Sequence, residues 1–154
     1  MPLLPLADLA ALTVGQRLGG LDVGTKTIGI AVADTVRLTA SPVDTIRRGK
    51  FRDDVPKLQA ILRARAIAGL VIGLPVSLDG TEGPRAQGVR QFQQNLDAVL
   101  PLPMAFWDER LSTAAVERMM LEADMTRKRR AELVDKLAAA YILQGALDRL
   151  RYQP

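Results

Sequence analysis

Leu18-Gly-Gly-Leu-Asp-Val-Gly-Thr-Lys-Thr-Ile-Gly-Ile-Ala-Val-Ala33 reads as two strands joined by a tight turn. Side chains alternate along a strand, so Leu21 and Val23 take one face and Gly20, Asp22 and Gly24 the other. One carboxylate thus stands between two residues without side chains. A glycine inside a strand weakens it and marks close approach by another backbone or a ligand. Gly24-Thr-Lys-Thr27 turns the chain and adds a cation at Lys26. Ile28, Ile30 and Val32 then alternate with Gly29, Ala31 and Ala33, which makes a second strand with small residues on one side. Asp is unfavourable inside a strand. Asp22 therefore reads as a functional carboxylate, one that binds a metal or polarises a phosphate. The alternative is an ordinary hairpin whose Asp serves the turn.

The rest of the composition narrows the chemistry. The chain has 154 residues, 48% of them hydrophobic, enough for a core in one domain. There is no cysteine and no histidine. That excludes disulfides, thiolate zinc sites, and Ser-His-Asp or Cys-His catalysis. A catalytic metal must then be held by oxygen ligands, which suits Mg²⁺ or Mn²⁺. The net charge of +4 is compatible with a nucleic-acid partner. No apolar run is long enough to span a membrane, and Pro2 and Pro5 break an N-terminus without a basic start. A cytoplasmic protein is expected.

Residues 1–17 are expected to form an extended leader, partly ordered at most, with a short helical turn at Leu6–Leu12. Residues 18–150 form the domain. After the hairpin, Val36-Arg-Leu-Thr-Ala40 alternates as a third strand, interrupted by Ser41-Pro42 and resumed over Val43–Ile46. Asp53–Ala66 has helical spacing and is expected to stop at Gly69. Leu70-Val-Ile-Gly-Leu74 reads as a buried strand, and the short connection suggests a β-α-β crossover. A loop from Pro75 to Pro84 leaves the carboxyl end of that strand, where α/β sheets place their ligand crevice. A helix over Arg85–Val99 and a strand over Leu102–Trp107 follow. Ser112 or Thr113 caps a further helix running to about Glu122. A basic connector from Asp124 to Arg130 and a last helix from Ala131 to about Leu150 complete the chain. The order predicts an α/β fold, a hairpin-led mixed sheet between helices.

Asp135 is the second informative acid. At helical spacing its neighbours are Ala131, Ala138 and Ala139, with Ile142 and Ala146 further along. A carboxylate on that small apolar face is costly unless paired or metal-bound. A first-turn Asp favoured by the helix dipole is the simpler alternative. Asp108 and Glu109 end a strand, and alternation lets only one of them face the crevice. The other would pair with Arg110. Convergence of Asp22, Asp135 and one of that pair would supply carboxylates for two divalent ions about 4 Å apart, the arrangement used for attack of water on a phosphodiester.

Four segments in order, Leu21-Asp-Val-Gly-Thr-Lys-Thr-Ile-Gly-Ile-Ala-Val32, Val71-Ile-Gly-Leu-Pro75 with Asp79-Gly-Thr-Glu82, Asp108-Glu-Arg-Leu-Ser-Thr113 and Asp135-Lys-Leu-Ala-Ala139, resemble the YqgF/RuvX family. The likeness runs from about Gly20 to Leu147. It implies an RNase H-like fold: a mixed five-stranded sheet led by an antiparallel hairpin, with helices on both faces, related to the RuvC resolvases. It also implies a nuclease acting on the 5′ end of pre-16S rRNA, or alternatively on four-way DNA junctions. By position, Asp22 resembles the first-strand metal ligand of such enzymes and Asp135 the last-helix ligand. Glu109, or else Asp108, would supply the third acid. RuvC-type enzymes carry an acid at the end of the strand that here reads Gly73-Leu-Pro75, and this chain has none there. The Pro75–Pro84 loop and Lys26, Arg110, Arg127, Lys128, Arg129 and Arg130 are candidates for phosphate contacts, which position a substrate without reading its sequence.

Two other readings compete. Actin-like and sugar-kinase ATPases share an Asp-x-Gly-Thr phosphate turn but need two such domains. A non-catalytic RNA-binding assembly factor would keep the basic surface and need no metal. Either a monomer or a homodimer is compatible with the sequence, and a resolvase that cuts two strands symmetrically would favour the dimer.

Overall fold

The structure, a computed structural model, describes residues 3–111 and 127–152, without the side chains of 127–136. The opening hairpin pairs β1 (Arg17–Val23) with β2 (Thr27–Ala33), Asp22 opposite Gly29 and Leu21 opposite Ile30. The Gly24 amide donates to the Thr27 carbonyl at 2.9 Å, and a Cβ on Gly24 would stand only 3.1 Å from that oxygen. The turn therefore closes tightly because residue 24 is bare.

The third strand differs from expectation. β3 is Ala40–Arg47, and it runs through Ser41-Pro42 instead of stopping there. It is the edge strand beside β2, where a proline costs no interior ladder bond, and the register shifts opposite it, between Ile30 and Ala31. Val36–Thr39 is turn and not strand. Arg37 adopts φ 59°, and the Asp34 Oδ1 accepts the amides of Leu38 at 2.7 Å and Thr39 at 3.3 Å. An Asp that caps its own turn in this way overrides a short apolar–polar alternation.

α2 (Phe51–Ala64) crosses to β4 (Ile67–Leu74), which pairs parallel to β1. Gly69 does not stop α2. The helix ends at Ala64, Ala66 takes the left-handed conformation (φ 53°), and Gly69 lies inside β4. α3 (Pro84–Val99) starts with proline at its first turn and leads to β5 (Met104–Asp108), parallel to β4. The sheet order is β3-β2-β1-β4-β5, the expected mixed five-stranded sheet. Arg110 and Leu111 are already helical, ahead of the expected caps; those caps, Ser112 and Thr113, and the helix expected as far as Glu122 lie outside the described residues. The last helix, α4 (Arg127–Tyr152), already includes Arg127–Arg130, so that basic run is helical and not a connector.

Both faces of the sheet are covered. Leu21, Ile28, Ile30, Leu70 and Ile72 pack against Leu58 and Leu62 of α2 and Leu96 of α3. On the other face, Leu18, Val71 and Ala105 pack against Ala139, Ile142, Leu143 and Leu147 of α4. A Cβ on Gly20 would lie 2.8 Å from the Ala139 carbonyl oxygen and 2.8 Å from the Leu143 Cβ. α4 thus rests on the bare backbone of β1. Gln144 ties its far end to the start of β3, accepting from the Ala40 amide at 2.9 Å and donating to the Leu38 carbonyl at 3.0 Å.

The leader also joins this face. α1 (Leu6–Leu12) buries Leu9 completely, and the Leu4 amide donates to Met104 at 2.8 Å. A Cβ on Gly69 would stand 2.8 Å from the Leu9 Cδ1, which explains the glycine in β4. Arg37 donates to the carbonyls of Ala10, at 2.9 Å, and Thr13, and so closes the end of α1. Burying one leucine contributes about 1.5–3 kcal/mol, and the helical turn expected at Leu6–Leu12 is α1. No helix among the described residues is long and apolar enough to cross a membrane.

Candidate active site

The parallel strands β1, β4 and β5 end side by side, and the candidate acids gather there. Asp22 shares the α4 face with Gly20 by alternation, while Leu21 and Val23 enter the opposite core. Asp22 is half-buried. Glu109 follows β5 and extends its pairing, its amide donating to the Leu74 carbonyl at 3.1 Å. Its side chain turns over β4: a Cβ on Gly73 would stand 2.5 Å from the Glu109 Oε1 and 3.1 Å from its Cγ. The bare Gly73 lies in β4, next to β1 and β5, and makes room for the Glu109 carboxyl near Asp22.

The electrostatics agree with that proximity. Burial, and then the charge of Asp22, push the Glu109 carboxyl up to about 7; Asp108 adds to this and Arg85 opposes it. Asp108 faces the other way. The Arg110 Nε donates to its two oxygens at 3.0 and 2.9 Å, and these bonds hold the Asp108 carboxyl below the usual range. Of the two neighbouring acids, Glu109 enters the crevice and Asp108 forms the ion pair.

Asp135 lies on α4, one turn before Ala139. Since Ala139 sits at Gly20 and Gln144 at the start of β3, α4 runs against β1. This sets the backbone of residue 135 towards the strand ends that carry Asp22 and Glu109; its side chain is outside those described. Among the described residues no group of three acids gathers. The donors present still fit a hard divalent ion. They are carboxylate oxygens, and the like-charge repulsion that raises Glu109 is what a cation between it and Asp22 would relieve.

The cations divide into groups. Lys26 is exposed on the β1–β2 turn. Arg110 is committed to Asp108, and its Nη1 leans on the carbonyls of Ser77 (3.5 Å) and Leu78 (3.4 Å). Arg127, Lys128, Arg129 and Arg130 open the described part of α4, and their side chains are not described. Two residues escaped the sequence reading. Arg85, in the first turn of α3, acts electrostatically on Glu109. Its only sequence signal is to be the first cation after the crevice loop. Arg48 donates from Nη1 to the Gly24 carbonyl at 2.6 Å, bracing the turn beyond Asp22. Nothing in the periodicity marks it, because the bond joins positions far apart in the chain.

A family model described as "RuvX: Holliday junction resolvase" matches residues 16–149. A Rhodobacter capsulatus protein named "Putative pre-16S rRNA nuclease" is 62% identical over 143 residues, covering 93% of this chain and 90% of its own. A Paramagnetospirillum magneticum protein of the same name is 58% identical, covering 96% of each chain. Among solved structures, Thermus thermophilus RuvC in complex with a Holliday junction substrate superposes with a TM-score of 0.52 at 16% identity, covering 88% of this chain and 95% of its own. That likeness identifies the fold as the RuvC-type, RNase H-like α/β architecture.

Proposed function

The chain belongs to the RuvX family, and from that premise we propose that it is a nuclease that hydrolyses a phosphodiester bond at the 5′ end of pre-16S rRNA in the cytoplasm. The observation that carries the reading is the approach of Glu109 to Asp22 across Gly73 at the ends of three parallel strands. Two acids that repel each other in a crevice, in a chain without histidine, suit hydrolysis assisted by a divalent ion and little else.

Asp22 and Glu109, with Asp135 as the third acid, would hold Mg²⁺ or Mn²⁺. Such an ion supplies an activated water and neutralises charge on the leaving oxygen. The chain's own residues do the rest. Without a cation, burial and then the Asp22 charge make the Glu109 carboxyl easier to protonate than an ordinary glutamate. Arg85 partly offsets that charge. Arg48 fixes the Gly24 turn and thereby the end of the strand that carries Asp22.

The relatives at about 60% identity support RNA as the substrate. The family description supports a second reading, a four-way DNA junction cut by a homodimer. Both substrates, labelled and incubated with Mn²⁺ or with chelator, separate the readings. Chelator-sensitive cleavage of the 5′ leader RNA alone is expected. Cleavage of the junction alone would overturn the RNA assignment. Binding of RNA without cleavage of either would favour a non-catalytic assembly factor.

A further inference from the structure

One rim of the crevice is basic and uncommitted. Lys26 occupies the β1–β2 turn, and Arg47, Lys50 and Arg52 occupy the junction of β3 with α2; all four are exposed. Thr27 pairs with Arg47 across the strands, and the Arg48 amide donates to the Lys26 carbonyl at 2.8 Å. The two segments therefore form one surface. Their backbone is braced by side-chain contacts. Arg48 holds the Gly24 carbonyl and lies 5.3 Å over the Phe92 ring, which meets Phe51 edge-on at 5.7 Å. The carboxylate of Asp54 is turned inward, buried, and accepts the Gly49 amide at 3.1 and 3.2 Å.

The opposite rim differs. There Arg90 pairs with Glu82 and Arg110 with Asp108. Lys26, Arg47, Lys50 and Arg52 take part in no ion pair among the described residues. Their charge is available to a polyanion, and it stands just past the strand end that carries Asp22.

We propose that this rim is the phosphate track for the RNA strand flanking the cleaved bond, Lys26, Arg47, Lys50 and Arg52 contacting successive phosphates on the surface that Arg48 staples together. The assignment rests on the RNA-nuclease reading for its occupant. It makes the flank leave over the β3 side of the crevice and not over the Ser77–Arg90 side. Contacts of this kind fix register and orientation and carry no sequence preference.

Binding to a pre-16S 5′ leader RNA and to a four-way DNA junction, measured with chelator over a range of salt, tests it. Each phosphate that is no longer neutralised lowers the slope of log affinity against log salt by about 0.7–0.9. The K26Q/R47Q variant is expected to flatten the RNA slope by roughly 1.4–1.8. K26R/R47K, which keeps both charges, should retain it. R63Q/R149Q, which removes the same charge from exposed positions at the far end of α2 and near the C-terminus of α4, should also retain it. An unchanged slope in K26Q/R47Q would overturn the proposal, as would equal flattening in R63Q/R149Q or flattening on the junction alone. Binding without metal is independent of cleavage. An inactive wild-type protein would sink the nuclease reading and leave the rim result standing.

Discussion

Glu109 is seated on the bare Cα of Gly73: a Cβ there would come within 2.5 Å of its Oε1. The strand end that lacks an acid of its own is thus covered by an acid from the end of the neighbouring strand. Gly73→Ala should displace that carboxyl and crowd the Ile142 Cδ1, which would also be 2.5 Å away. Overpacking of this kind costs about 1–3 kcal/mol. Urea midpoints should report that loss, and metal-dependent cleavage should fall further than the stability loss accounts for. Full activity in a stably folded Gly73→Ala protein would break the link between this glycine and the site.

Asp108 and Glu109 are adjacent but should behave differently. Asp108→Asn breaks an exposed pair with Arg110, worth roughly 0.2–1 kcal/mol, and should leave most of the cleavage rate. Glu109→Gln removes a candidate ligand of the ion and should lower the rate by roughly 10–100-fold or more, since groups that only orient such ligands already cost that much when lost. Single-turnover rates on the same RNA compare them, and equal losses would contradict the orientation described.

The Glu109 carboxyl should also show itself in stability without metal. An acid raised from its ordinary 4.5 to about 7 holds its proton more tightly in the folded state than in the unfolded one. Its contribution is fully present below the unfolded value and is lost as pH rises through about 7. Wild type should therefore lose stability relative to Glu109→Gln between about pH 5 and pH 8. Binding of Mn²⁺, which displaces that proton, should tighten over the same window. Denaturation curves of the two proteins that stay parallel across the window would contradict the burial of Glu109 beside Asp22.

Much of this was legible from residues that break a rule. Glycines and an acid inside a strand pointed to a candidate site, because neither helps a strand form, and the hairpin and sheet class followed from alternation. The choice between Asp108 and Glu109 was not legible, since alternation leaves parity open until Gly73 and Arg110 are placed. Gly69 misled for the same kind of reason: its purpose is room for Leu9, far away in the chain. Val36–Thr39 misled because Asp34 competes for its own backbone. Arg85 and Arg48 act through partners that no local pattern reveals.

The leader is structural. Leu9→Ala should cost about 2–5 kcal/mol, because the side chain is fully buried between β4 and α4. A thermal melt shifted by much less would mean that α1 is held by its backbone bonds and by Arg37 instead.

The most direct measurement is Mn²⁺-dependent cleavage of a pre-16S 5′ leader RNA by the wild-type protein and by Asp22→Asn, at matched folded fraction. The expected result is cleavage by wild type, abolished by chelator and by the substitution, with RNA binding retained in both. Equal cleavage by Asp22→Asn, or RNA binding by wild type without cleavage, would contradict an active site built on Asp22 and Glu109.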